Sequence, residues 1–260
     1  MLQSRNQNMM QQSYLGKRFE FKYFLSPIEA AKIESYLVDK IKLTPDDNSS
    51  GGGYFVNSLY FDTPQMNDYR DKDGSFHTRK KVRARMYGAY WHDELDAVWL
   101  EVKHKKNMNI AKSRVRISGS LWNEFMRNNT ALSLLNTDES FTQETRADLE
   151  SFAHTHIRGN YQPMSVVRYK RKAYLAQFTS PVRITFDSDI RTCRAGDDHA
   201  HSLLIPVSHN AVIMEVKFNN KLPWWFDDML RRFDIRRTDF SKYRNSVAIM
   251  KGQQRIPIHK

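Results

Sequence analysis

The sequence predicts an α+β protein: an antiparallel eight-stranded β-sheet shaped as a concave surface or closed barrel, with helices packed outside. Three observations carry this. Eight segments alternate apolar and polar residues with the period of two that sends successive strand side chains to opposite faces. In those segments the charged parity is overwhelmingly basic, as in KVRARMYG (81–88), LEVKHKK (100–106) and AKSRVRIS (111–118), so one face of the sheet is cationic. Around the strands, capping signals and apolar stripes mark helices. A solvated sheet face would also alternate, but it usually mixes signs. Like charges directly opposite one another are destabilising unless an anion lies between them, which favours an anion-binding surface.

In chain order, the first strand (about 18–25) sets Arg18, Glu20 and Lys22 against Phe19, Phe21 and Tyr23. A helix follows, with Ser26 as cap, Pro27 at its first position and Glu29 completing a capping box. Its predicted apolar stripe is Ile28, Ala31, Ile33, Tyr36 and Leu37. TPDDNSSGGGY (44–54) is too polar and glycine-rich for anything but a loop. The next strand (55–62) opposes Ser58, Tyr60 and Asp62 to Leu59 and Phe61, and a short polar helix or turn covers 64–74.

Long cationic hairpins fill about 76–118, with a turn near 91–96. Their polar parities are Lys81, Arg83 and Arg85; Glu101, Lys103 and Lys105; and Lys112, Arg114 and Arg116, while His104 falls on the opposite parity. GSLWNEFMRNN and the segment about 139–156 read as helices. Strands at about 165–176, with Tyr169 and Arg171, and 181–191, with Arg183, Thr185 and Asp187, precede the loop RTCRAGDDHAHS. The strand at 211–218 carries Glu215 and Lys217 against Val212, Met214, Val216 and Phe218. Pro223 opens an aromatic-rich helix holding Trp224, Trp225, Phe226, Met229, Leu230 and Phe233. A last helix begins near Phe240 with the stripe Phe240, Tyr243, Val247 and Met250. No internal repeat or boundary divides the chain, which predicts a single domain over 16–252 between disordered tails at 1–15 and 253–260.

A net charge of +12 over 260 residues favours a polyanionic partner. Cys193 is the only cysteine, which excludes an intramolecular disulfide framework and a cysteine-rich zinc site. No stretch reaches the length of a spanning helix, so the expected location is cytoplasmic.

Three E-x-K spellings, Glu20/Lys22, Glu101/Lys103 and Glu215/Lys217, each put an acid and a base on one side of a strand. Singly, each reads as an ion pair. Together they offer what an enclosed triphosphate site needs: cations for phosphate oxygens and a few carboxylates for a divalent metal. The same carboxylates disfavour nucleic acid, which they would repel. Gly51–Gly53 lack the Lys-Ser/Thr of a nucleotide-cradling loop. His199 and His201, beside Asp197 and Asp198, read as a solvated turn. Ser241 and Lys242 fall at a helix N-terminus, where free backbone N–H groups favour anions.

In order along the chain, RFEFKYFL, SLYFDT, KVRARMYG, LEVKHK, KSRVRI, YKRKAY, VRITFDSDI, MEVKF and FSKYRNSV resemble the VTC domain. This is the polyphosphate polymerase domain first associated with vacuolar transporter chaperone complexes, within the triphosphate tunnel metalloenzyme superfamily. The resemblance implies an eight-stranded antiparallel tunnel with helices outside. It also implies metal-dependent transfer of the γ-phosphate of ATP to a growing inorganic polyphosphate chain. By position, Lys22, Arg83, Arg85, Lys103, Lys112, Arg171 and Arg183 match the family's phosphate-contacting cations. Tyr169, Ser241 and Lys242 match accessory phosphate contacts, with Lys217 beside them as a further substrate contact. Glu215 matches the metal-binding carboxylate, and Glu20 and Glu101 extend that set for Mn²⁺ or Mg²⁺.

Two positions depart from the superfamily's patterns. Arg18-x-Glu20-x-Lys22 stands where hydrolytic relatives have E-x-E-x-K, which fits the VTC branch better than a two-metal triphosphatase. Asp239 stands where the branch tends to have a basic residue before Phe-Ser-Lys. The alternatives are a tunnel triphosphatase and a non-catalytic domain that binds polyphosphate or inositol phosphates. The resemblance also raises a membrane-protein partner that recruits the chain to a membrane.

Overall fold

The computed structural model describes residues 18–46, 52–71, 78–88, 96–106, 109–128, 130–177, 181–197, 204–219 and 221–252. The two expected tails, the turn at 91–95, residues 47–51 of the glycine-rich loop, and Asp198, His199 and His201 lie outside the described residues.

The elements are β1 (Arg18–Leu25), α1 (Pro27–Asp39), β2 (Thr44–Pro45), β3 (Tyr54–Asp62), α2 (Asn67–Arg70) and β4 (Thr78–Tyr87). They continue with β5 (Ala97–Lys106), β6 (Asn109–Ser118), α3 (Gly119–Asn128), α4 (Leu132–Leu135), α5 (Gln143–Gly159) and β7 (Gln162–Gln177). The chain then forms β8 (Pro181–Arg194), β9 (Ile205–Pro206), β10 (Val212–Asn219), α6 (Trp224–Phe233) and α7 (Lys242–Met250).

The hydrogen-bonded strand order is β1-β10-β8-β7-β3-β4-β5-β6, with β2 on β7 and β9 on β8. The sheet is antiparallel in its registers, and the α+β class holds. Among the described residues, the closed barrel expected from the sequence is not closed by hydrogen bonds: the path ends at β1 and β6. Each of these two strands is met locally by another segment. Lys22 O in β1 accepts a bond from Thr238 N at 2.8 Å, and Tyr23 bridges Arg237. On β6, Arg114 N donates to Asp148 Oδ2 of α5 at 3.1 Å.

The chain forms two compact units, each with its own core. One takes the chain up to Gly53, Arg171–Ser188 and Asn210–Phe240; the other takes Tyr54–Lys170, Asp189–His209 and the chain from Ser241 on. In the first unit, Tyr23 and Leu25 of β1, Val182, Ile184 and Phe186 of β8, and Met214, Val216 and Phe218 of β10 form the predicted apolar parity and are buried. α1 packs on it and begins as predicted: Ser26 N donates to Glu29 Oε2 (2.7 Å) and Glu29 N to Ser26 Oγ (3.2 Å). Its buried stripe is Ala30, Ile33 and Leu37, whereas Ile28 is 69% exposed. Ile33, Tyr36 and Leu37 of the predicted stripe do face the core, but with about 100° per residue Ile28 points roughly 200° from Ala30, and Ile28 and Ala31 fall on the exposed side. α6 buries Trp225, Phe226 and Met229 and leaves Trp224 83% exposed.

In the second unit, Val82, Ala84 and Met86 of β4, Val98, Leu100 and Val102 of β5, and Val115 and Ile117 of β6 are buried with Trp122, Phe125 and Phe152 of the covering helices. β3 departs from simple alternation, since Ser58, Tyr60 and Asp62 are as buried as Leu59 and Phe61. Among the described residues, no helix is long and apolar enough to cross a membrane.

Gly53 has φ +100°, and a Cβ there would lie 2.6 Å from Arg171 O. Both the left-handed backbone and the close approach demand glycine. Gly53→Ala is expected to destabilise the protein by about 1–3 kcal/mol, read as a lower urea midpoint.

Candidate anion-binding site

Strand register arranges the cations of β4, β5 and β6 in rows. Lys81 pairs with Lys103, and Lys103 with Lys112, so three ammonium-bearing residues lie side by side on one face. In the next row Arg83 pairs with Glu101, and Glu101 with Arg114; beyond it Arg85 and Arg116 flank Trp99. Such rows would repel one another without an anion.

Glu101 supplies part of that negative charge. It is 1% exposed, and its Oε2 takes Arg83 Nη2 at 2.6 Å and lies 3.7 Å from Arg85 Nη2. Its Oε1 meets Lys112 Nζ at 3.3 Å and Arg114 Nε at 3.2 Å. Burial alone would push the Glu101 carboxyl up, but Arg83, Arg85 and Lys112 hold it well below the usual carboxylate range. Arg83 Nη1 also donates to Tyr60 Oη at 3.2 Å. Arg114 stacks on Trp99, its guanidinium carbon 3.9 Å from the ring centroid, and donates to Tyr87 Oη. Burial lowers the Lys112 ammonium to about 8, against the opposing pull of Glu101.

The same unit brings the start of α7 to the lysine row. Ser241 caps the helix by accepting from Arg244 N, and Lys81 Nζ donates to Ser241 Oγ at 2.8 Å. The Lys242 ammonium sits 4.6 Å from the ring centroid of buried Tyr169.

The first unit carries the remaining expected residues. Arg171 is 7% exposed and grips Asp187 with two parallel bonds, Nε to Oδ1 at 2.6 Å and Nη2 to Oδ2 at 2.7 Å. Its Nη2 also lies 3.8 Å from Glu215 Oε2, while Lys217 Nζ lies 3.3 Å from Glu215 Oε1. Glu215 pairs in register with Lys22 on β1 and with Thr185 on β8; Lys217 pairs with Glu20 and with Arg183. Glu20 and Glu215 are therefore diagonal neighbours on one face. Lys22 Nζ donates to Phe240 O at 3.0 Å and lies 3.4 Å from Glu20 Oε1. Arg183 Nη2 is anchored on Asp46 Oδ2 at 2.7 Å.

The donor set of this face can be tested against a divalent cation. Among the described residues, no group of three or more His, Cys, Asp and Glu could cage a metal. Magnesium and its analogues need no such cage, since one or two carboxylates complete their shell with water and phosphate oxygens. Glu215 and Glu20 provide that pair, and beside Glu215 the buried Thr185 Oγ1 has no hydrogen-bond partner among the described atoms. The residues present fit such an ion.

Lys81, Arg114, Asp187 and Thr185 belong to these clusters but were not among the expected site residues. They share the parities of residues that were, so the signal was present. Asp46 carried no signal, because it sits in a stretch that reads as a polar loop and proves 8% exposed under Arg183.

An antiparallel sheet with helices, carrying rows of cations in one unit and the carboxylates Glu20 and Glu215 in the other, places the chain in the α+β class. Within it the chain belongs to the VTC domain family, which matches residues 17–251, and thereby to the triphosphate tunnel metalloenzyme superfamily. Among solved structures, the chain is similar to the candidate adenylyl cyclase HpAC1 from Hippeastrum, described as having a dominant triphosphatase activity. The identity is 13%, with 90% of this chain and 96% of that chain covered at a TM-score of 0.52, a likeness of fold. A candidate adenylate cyclase from Bacillus halodurans gives 10% identity over 86% of this chain and 95% of its own, at a TM-score of 0.46. A search of curated proteins returned no match.

Proposed function

We propose that this protein is a polyphosphate polymerase that transfers the γ-phosphate of ATP to a growing inorganic polyphosphate chain. The observation that carries the reading is the in-register row Lys81–Lys103–Lys112 beside the Arg83–Glu101–Arg114 row. That spacing suits a chain of phosphates, each with its own charge. A terminal oxygen of the acceptor attacks the γ-phosphorus. A new P–O bond forms, and the bond to the bridging oxygen breaks with its electron pair leaving on ADP. Phosphoryl transfer asks the protein for positioning and charge stabilisation rather than a covalent nucleophile.

As the family resemblance implies, phosphate neutralisation is assigned to Arg83, Arg85 and Lys103 in one unit and to Lys22, Arg171 and Arg183 in the other. Lys112, Tyr169, Lys217, Ser241 and Lys242 hold the remaining phosphates. Glu215, with Glu20, would hold Mn²⁺ or Mg²⁺, which supplies Lewis-acid charge neutralisation when bound. Glu101, expected with that pair, is better read as an anchor, since four cations already engage its two oxygens.

The Arg18-x-Glu20-x-Lys22 start favours polymerase over triphosphatase, the activity described for HpAC1. Purified protein given ATP and Mn²⁺ is expected to yield a ladder of long phosphate chains. Release of orthophosphate alone, at every metal and acceptor concentration, would replace this reading with the triphosphatase.

With Lys112 titrating at about 8, its charge is present below that pH and is lost above it. Tripolyphosphate affinity is therefore expected to fall between pH 7 and pH 9 by up to about tenfold. Lys112→Arg, which stays charged, is expected to flatten that profile in titration calorimetry.

A further inference from the structure

Below the cationic face lies a buried network that sequence reasoning did not single out. Asp62, at the end of β3, is fully buried and accepts four hydrogen bonds: Oδ1 from Thr63 N (2.7 Å) and Asp68 N (3.0 Å), Oδ2 from Tyr69 N (2.9 Å) and the Tyr243 hydroxyl (2.5 Å). Asp68, at the start of α2, accepts in turn from the Tyr161 hydroxyl at 2.9 Å. A group receiving four donors has to be an acceptor at both oxygens, which a carboxylate is and a carboxamide is not.

Tyr243 links this network to the candidate site. It lies in the first turn of α7, directly after Lys242 and two positions after the cap Ser241. Its ring stacks on Tyr60 at 5.1 Å and 24°, and Tyr60 Oη accepts from Arg83. One buried side chain thus touches the anchor below the helix start and the ring that backs Arg83. A second pin holds α7 one turn further on, where Ser246 Oγ meets Thr192 Oγ1 at 2.6 Å. The hydrogen bond of that pin joins α7 to β8 and involves none of Arg83, Lys81 or Ser241.

We propose that Asp62 and Tyr243 are positioning residues for phosphate binding. Their buried hydrogen bond sets the N-terminus of α7 so that Ser241 and Lys242 meet the phosphate chain, and the Tyr60–Tyr243 stack holds Arg83 at the same depth. The assignment rests on the phosphate role given above to Ser241 and Lys242. Neither Asp62 nor Tyr243 touches substrate; each acts through the helix start.

The test uses the full chain with sodium tripolyphosphate as probe in titration calorimetry, with thermal unfolding alongside. Tyr243→Phe keeps the ring stack and deletes only the hydroxyl, and is expected to weaken binding about tenfold. Ser246→Ala removes the other pin and is expected to lower the melting temperature while leaving the affinity unchanged. Tyr243→Phe added to Ser241→Ala should cost little beyond Ser241→Ala alone, because both act at one helix start. Fully additive losses, or an equal loss of affinity in Ser246→Ala, would overturn the positioning role and reduce Tyr243 to a stability contact. If Ser241→Ala and Lys242→Ala bind tripolyphosphate like the wild type, the phosphate role itself falls, and the positioning proposal with it. Loss in those two variants with normal binding by Tyr243→Phe would sink the positioning proposal alone.

Discussion

Glu215→Gln is expected to lower turnover by about 10²-fold or more and to leave a folded protein, because it removes charge from the proposed metal position without changing its shape. Divalent cations of this kind select anionic oxygen, and the amide offers one neutral oxygen in place of two charged ones. The fold should survive, since Arg171 keeps its two bonds to Asp187 when its longer 3.8 Å approach to Glu215 is lost. Lys217, 3.3 Å from Glu215 and partly exposed, can turn to solvent. Two measurements separate the metal role from a merely electrostatic one. Activity titrated with Mn²⁺ should need far more metal in the variant, while the unfolding temperature should change little. Turnover and metal dependence both like the wild type would refute the assignment.

Glu101→Gln is expected to act on stability. The carboxylate is buried and in contact with Arg83, Arg85, Lys112 and Arg114 at 2.6 to 3.7 Å. Deleting its charge strands several cations close together, and breaking a buried pair of this kind costs about 3–5 kcal/mol. Urea midpoints report that loss directly. Because an incoming polyanion can take over the missing charge, tripolyphosphate should raise the midpoint of the variant more than that of the wild type.

The pH dependence follows from the same contacts. Folding holds the Glu101 carboxyl well below its unfolded value of about 4.3, so its contribution is fully present above that pH and is lost as pH falls toward the folded value. Wild-type stability should therefore fall steeply below about pH 4, and the variant should lack that part of the slope. Parallel acid profiles would show that Glu101 is not the group responsible.

Much of this architecture was legible in the chain. The parity of Val82, Ala84 and Met86 against Arg83 and Arg85 read the core face of β4 correctly, and the Ser26–Glu29 box located the start of α1. Such features are local: a period of two, or a cap and its partner three residues on, needs no knowledge of the rest of the fold. The reading failed where a neighbour decided the outcome. Ile28 is apolar but faces solvent because α1 rolls Ala30 and Ile33 onto the sheet. Among the described residues the path of strands ends at β1 and β6, where Thr238 N and Asp148 Oδ2 each take one backbone group. Asp62 looked like one more polar residue on an alternating strand and is instead an anchor with four donors around it.

By itself, then, the sequence determined which residues share a face, that one face is cationic, and where Glu20, Glu101 and Glu215 interrupt it, since covalent geometry alone alternates side chains along a strand. Only the tertiary structure decided which charge answers which. Strand register set Glu101 between Arg83 and Arg114, and Glu215 between Lys22 and Thr185. Folding brought Tyr243 onto Asp62 across 181 residues of chain. These pairings follow from packing and the need to satisfy buried polar groups, which act between segments that the order of residues leaves far apart.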